Sequence, residues 1–255
     1  MELYYFLGVI VIASLLQGIT GFGSALVAAP LLLLLIDKTT SVVSLTFVSI
    51  AMNLFLFLKI KYPLEKESFY RLLWPSLLGL PIGILILQNL EVGVLRIIAG
   101  TLSVVFAFFL FAKNAEVRNS KRLTVLSGWL SGVLHTSVGI GGPPIVLLLA
   151  SQNTEKDEMR KTLALLFFVM SIVSIILFLF SGHLTSKSML FGLYGIPAAF
   201  VGSYIGNYIS KKVSQQQFIW SVFILITITI IIAFYSGFRD FRKSRAETSQ
   251  ALLLH

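Results

Sequence analysis

The sequence predicts an all-α polytopic membrane protein of about eight transmembrane segments, arranged as two pseudo-repeats that are each headed by a broken or re-entrant helix pair. Three observations carry this reading. The 255 residues are 56% hydrophobic and only 12% charged, with a mean hydropathy of +0.91. A water-soluble domain carries about 25% charged residues, so this chain lacks the polar surface its length would need in water. Apolar stretches fill most of the chain, and the majority approach the roughly 20 residues that cross a bilayer as a helix. Finally, the shift that carries Gly21 onto Gly139 lays the first half of the chain on the second, which marks an internal repeat.

In chain order the apolar stretches are 3–22, 23–36, 41–58, 69–90 and 92–112, then 123–138, 139–151, 162–182, 188–210 and 216–238. Met1 and Glu2 bring no basic run, so the first stretch reads as a retained membrane segment rather than a cleaved leader. Residues 3–36 and 123–150 are each too long for one straight span, and glycines interrupt both. A broken element is therefore expected twice. The polar intervals 113–122 and 152–161 separate later segments, and the chain closes on a polar tail at 241–255. The repeats are expected at 1–115 and 116–240. Their register places Gly21 on Gly139, Gly23 on Gly141, Lys38 on Lys156 and Met52 on Met170, along with three leucine pairs. With a small slip, Gly79 and Gly83 correspond to Gly202 and Gly206, a small-xxx-small spacing expected to serve close helix packing.

The net charge of +9 does not indicate nucleic acid, because the basic residues sit in short runs between apolar stretches and form no basic face with interleaved aromatics. They are expected to set topology, since Lys and Arg collect in cytoplasmic loops. With the tail set aside, a scheme in which each broken element re-enters as a hairpin gathers the basic residues on one side, with both termini outside. The absence of cysteine removes disulfides, thiolate catalysis and Cys-ligated metals. No carboxylate pair lies within a span, and neither H-E-x-x-H nor a phosphate loop occurs, so neither an enzyme nor a cofactor is expected.

The two breaks carry the chemistry. The first is Gln17-Gly18-Ile19-Thr20-Gly21-Phe22-Gly23-Ser24, and the second runs from His135-Thr136-Ser137-Val138 to Gly139-Ile140-Gly141-Gly142-Pro143-Pro144. Glycines let the backbone leave helical geometry, and Pro143 and Pro144 suit the first turn of a new helix, where their missing N–H groups would have no partner anyway. Unwound backbone at membrane depth survives only where protein or a water-filled cavity surrounds it, so both breaks are expected to point inward. The N–H groups that open each second helix, at Gly23 and Ser24 and at Gly141 and Gly142, carry the positive end of a helix dipole and suit a small anion. The doubling favours a substrate pathway over mere packing, as in inverted-repeat transporters. Gln17 and His135 share a repeat position. His135 is the ionisable residue placed in an apolar segment at a break, and it is expected either to couple a proton, to donate to the ligand or to be satisfied by a nearby carbonyl. Asn53 and Ser171 also share a position and either face the cavity or bond their own helices. Arg96 is expected to snorkel to the interface, Lys38 and Lys156 either to attract anions or to mark loop ends, and Glu155, Asp157 and Glu158 to form a solvated charged loop.

With Gly21-Phe22-Gly23 and Pro30 heading one half and Gly139-Ile140-Gly141-Gly142-Pro143-Pro144 the other, the chain resembles the sulfite exporter TauE/SafE family, also called the toluene-sulfonate uptake permeases, over nearly its whole length up to the tail. The resemblance implies a permease of the bacterial inner-membrane type that moves small sulfur-containing anions such as sulfite, thiosulfate, sulfonates or sulfoacetate, or an organic acid. It also implies coupling to an ion gradient, a proton among the candidates, or to the membrane potential. The expected partners are thus the small anion, the lipid bilayer and a coupling proton or ion. The alternative from another class is an integral membrane enzyme acting on a lipid-linked substrate, which should carry an intramembrane carboxylate. A passive channel would show flux that does not saturate.

Overall fold

A computed structural model describes residues 1–20, 23–111, 120–152 and 154–209. Among these the chain is all-helical: α1 (Glu2–Thr20), α2 (Ser24–Leu35), α3 (Lys38–Lys59), α4 (Lys66–Asn89), α5 (Val92–Phe111), α6 (Lys121–Ser137), α7 (Gly142–Ser151), α8 (Lys156–Phe180) and α9 (Ser186–Ile209). The predicted segment at 216–238 and the tail at 241–255 lie outside the described residues. Stretches within α3, α4, α8 and α9 are long and apolar enough to cross a membrane. Large apolar side chains such as Leu78, Trp74 and Phe180 stand exposed on the outside of the bundle, as lipid-facing positions should.

Local chemistry sets the helix ends. Asp37 caps α3 by accepting from the Thr40 N–H at 2.8 Å. Pro143 and Pro144 open α7. Gly182, at φ 74°, closes α8 with paired bonds from the Gly182 N–H to the Leu179 carbonyl and from the His183 N–H to the Phe178 carbonyl. At the start of α9, Thr185 and Ser188 cap each other's backbone N–H reciprocally, at 3.0 and 3.1 Å.

Both breaks reverse the chain. Lys187 pairs with Glu2 at 2.7 Å and with Asp37 at 3.2 Å, so the two ends of the α1–α2 hairpin lie on one face of the bundle, the Lys187 face. The Lys38 ammonium caps the end of α4 on this face through the carbonyls of Gln88 and Leu90. The α6–α7 hairpin enters from the opposite side. Its two ends, at Thr124 and Gln152, share a surface pocket with Glu65 and Arg71 at the start of α4. On that side the Lys161 ammonium caps the end of α3 through the carbonyls of Phe57 and Ile60. The broken elements are thus inverted hairpins that dip into the bundle from opposite faces. Their second helices, of 12 and 10 residues, are about 18 and about 15 Å long, roughly half a hydrocarbon core.

Each hairpin packs on the long helix of the other half. Helix α6 runs alongside α4, and α1 runs alongside α9. Small residues bring the backbones together: a methyl at Gly79 or Gly83 would overlap the carbonyls of Trp129 or Val133, and one at Gly202 or Gly206 would overlap those of Val11 or Leu15. The four glycines thus serve helix contact as expected, and Gly128 and Gly132 of α6 return the same contact against Leu72 and Ser76 of α4. Arg96 does more than reach for the interface, because its Nε donates to the Leu33 carbonyl at 2.7 Å and so ties α5 to the end of α2.

Candidate functional site

The tips of the two hairpins meet at a central cavity of about 80 Å³. Gly23 stands at φ 93° and Gly139 at φ 80°, both in the left-handed region where a side chain is strained. Gly141 is different. Its backbone is right-handed helical (φ −83°), and what favours glycine there is close approach, since a Cβ would stand 3.1 Å from the Ser131 carbonyl and 3.2 Å from His135 Nδ1. The Ser131 hydroxyl donates to the Gly141 carbonyl at 2.5 Å and fixes the start of α7 against α6.

Helices α2 and α7 begin at this cavity, at Ser24 and Gly142, and neither N-terminus has a side-chain cap. Their positive dipole ends are therefore directed at one space. Gln17 from α1 and His135 from α6, which share a repeat position, both line it. From α3 come Ser49, Asn53 and Leu56, and from α8 Arg160, Leu163, Ala164 and Phe167. Both sets follow helical spacing, so each helix presents a single face to the cavity. Among the described residues no acidic side chain lines it.

Of the expected site residues, Gln17, Gly23, Ser24, Asn53, His135, Gly139, Gly141 and Gly142 come together at the cavity. Thr20 closes α1, and Gly21 lies outside the described residues. Thr136 turns away and donates to the Leu80 carbonyl at 2.7 Å, cementing α6 to α4. Ser137 is buried beside the tip without lining the space. Ser171 lies one layer behind, 3.3 Å from His135 Nε2, and orients the ring together with Phe167, whose ring stacks on the imidazole at 6.2 Å. Asn53 and Ser171, although equivalent in sequence, thus occupy different shells. Arg160 was not anticipated. Its sequence signal is its spacing of three, four and seven residues ahead of Leu163, Ala164 and Phe167, which puts a cation on the cavity-facing stripe of α8.

The family model for the sulfite exporter TauE/SafE matches residues 6–233, nearly the whole chain and both hairpins. The chain belongs to the sulfite exporter TauE/SafE family. Comparison with curated proteins and with solved structures gives no match. Membership places this TauE/SafE protein among multi-pass membrane transporters, in keeping with its apolar helices, and points away from an enzyme. Among the described residues no three His, Cys, Asp or Glu side chains gather in a way that would hold a metal ion.

A second, larger space of about 560 Å³ adjoins the cavity on the Lys161 face, lined by Lys59, Lys61 and Tyr62 near the end of α3 and by Tyr204 of α9. Gln17, Leu56 and Arg160 line both spaces and so form the partition between them. On the Lys187 face, the Lys187 pairs and the Lys38 cap draw the helix ends together.

Proposed function

We propose that this TauE/SafE protein is a permease for a small anion, most simply a sulfur oxyanion of the sulfite type, and that it works by alternating access of two inverted repeats, 1–115 and 116–240. The observation that carries the reading is the convergence of two half-helix N-termini, entering from opposite faces, on one cavity lined by no carboxylate among the described residues. Backbone dipoles there favour an anion, and an anion moved across the membrane meets no fixed negative charge at the midpoint. The cavity admits something on the scale of a few water molecules, which suits a compact oxyanion better than a sugar or a lipid headgroup.

Reciprocal packing of α1 on α9 and of α6 on α4 supports the two-repeat division, because each hairpin is carried by the long helix of the other half. Rocking of one pair against the other would close the Lys161-side space and open the Lys187 side. The basic residues Lys59, Lys61, Lys66, Arg71, Lys121 and Arg122 cluster at helix ends on the Lys161 face, which supports assigning that face to the cytoplasm and the conformation as inward-open.

The test is purified protein in proteoliposomes, offered sulfite, thiosulfate, sulfonates, sulfoacetate and carboxylates in parallel. Saturable uptake with counterflow for at least one of these anions is expected. Saturable sodium or sugar flux independent of any anion would overturn the reading, and flux without saturation would indicate a channel.

A further inference from the structure

Building on the anion-permease reading, we infer that Arg160 is the handover residue of the cytoplasmic entrance: a guanidinium in the partition that takes an anion from the outer space and passes it to the half-helix termini. Four observations support it. Among the described residues Arg160 is the charged residue lining the central cavity, and it lines the outer space as well. Its Nε is buried and has no hydrogen-bond partner among the described residues, an expensive arrangement for a cationic donor unless something accepts from it. Its ion pair to Asp157 is long at 3.4 Å and lies toward the outer space, so an arriving oxyanion can compete for it. The repeat equivalent of Arg160 is Val42, which is fully buried in the core, so the opposite hairpin has no matching cation.

The asymmetry gives the role its content. The dipoles and Gln17/His135 are duplicated and serve either direction of access, whereas Arg160 occurs on one side and acts on anions entering or leaving there. A guanidinium suits the task because its planar fork can hold Asp157 with one edge while offering Nε and the second edge to an oxyanion. Lys59 and Lys61 then act as the collecting charges of the outer space, with Arg160 as the desolvated step behind them.

The experiment measures counterflow of whichever anion the wild-type protein transports, in proteoliposomes of known orientation. Arg160→Gln is expected to raise KM on the Lys161 face at least roughly tenfold, the size expected for one lost charge-assisted hydrogen bond, with a smaller change on the Lys187 face. Arg160→Lys should recover part of the loss. Asp157→Asn should lower KM on the Lys161 face, because it frees the guanidinium, an effect that a merely structural ion pair would not produce. Unchanged kinetics in Arg160→Gln would overturn the inference, as would equal losses on both faces. If Arg160→Gln fails to insert, Asp157→Asn decides, and an unchanged or raised KM there sinks the role. Absence of anion transport by the wild-type protein would instead refute the permease reading itself, so the two failures remain distinct.

Discussion

At the scale of single residues, the two glycines that open α7 separate crowding from chemistry. Gly141 has the Ser131 carbonyl and the His135 ring within about van der Waals reach of any added carbon, whereas a Cβ at Gly142 meets nothing within 4 Å. Gly141→Val should therefore push α7 away from α6 and abolish counterflow, and it does so through crowding rather than backbone strain, since Gly141 is already right-handed. Gly142→Ala should leave folding and membrane insertion intact while raising the anion KM several-fold, because its methyl projects from a residue that lines the cavity. The pair is checked by size-exclusion profile against transport kinetics at matched protein. Wild-type affinity in both variants would remove the half-helix site from the mechanism. His135 is held by Ser171 on one side and by Phe167 across its face, so its imidazole is positioned rather than loose.

At the scale of elements, the hairpins are held by two different kinds of contact, and these should respond differently to mutation. The α1–α9 seam depends on backbone proximity at Gly202 and Gly206. Gly202→Val should cost about 1–3 kcal/mol or more of stability through overpacking, read as a lower Tm in detergent, while leaving the anion KM of surviving protein unchanged. The Lys187 contact depends on charge, linking the starts of α1, α3 and α9 through Glu2 and Asp37. Lys187→Met should release these helix ends and favour opening on that face. Because the chain has no cysteine, a single Ser24→Cys probe at the cavity reports this cleanly. Labelling by an impermeant maleimide should come mainly from the Lys161 face in the Ser24→Cys parent and shift toward the Lys187 face when Lys187→Met is added.

The same contact carries a pH prediction. Burial pushes the Asp37 carboxyl up, but hydrogen bonds from Thr40 and the neighbouring Lys187 outweigh it and hold the group below the usual carboxylate range. A lowered native pKa means the stabilisation is present above about 3.9, the unfolded value, and is lost as pH falls through the native one. The labelling pattern should therefore stay flat from pH 5 to 8 and change only in stronger acid. A transition near neutrality would show that another group controls this face.

At the scale of the whole molecule, inverted hairpins and a one-sided distribution of basic residues predict an orientation. A cysteine at Glu65, in the α3–α4 connection, should react only from the cytoplasm, and one at His183, between α8 and α9, only from outside. The opposite pattern in intact cells would reverse the proposed inward-open assignment and with it the direction in which Arg160 acts.

Much of this architecture was legible in the chain because it rests on local backbone chemistry. Glycines that leave helical geometry, prolines that open a helix and apolar runs of bilayer length act within a few residues, so the two breaks, their inward aim and the small-residue seams could be read without coordinates. The register from Gly21 to Gly139 likewise placed Gln17 and His135 at one cavity. What only the tertiary structure decided was how each helix is rotated and what it packs against. Thr136 is spent on the Leu80 carbonyl of α4, Ser171 sits behind His135 while its sequence equivalent Asn53 faces the space, and Arg160 reaches the cavity where Val42 is buried in the core. A repeat preserves spacing along the chain. It does not preserve the neighbours that two halves, differing in sequence, present to each other, and in a packed bundle those neighbours determine which polar group bonds a carbonyl and which is left to meet a ligand.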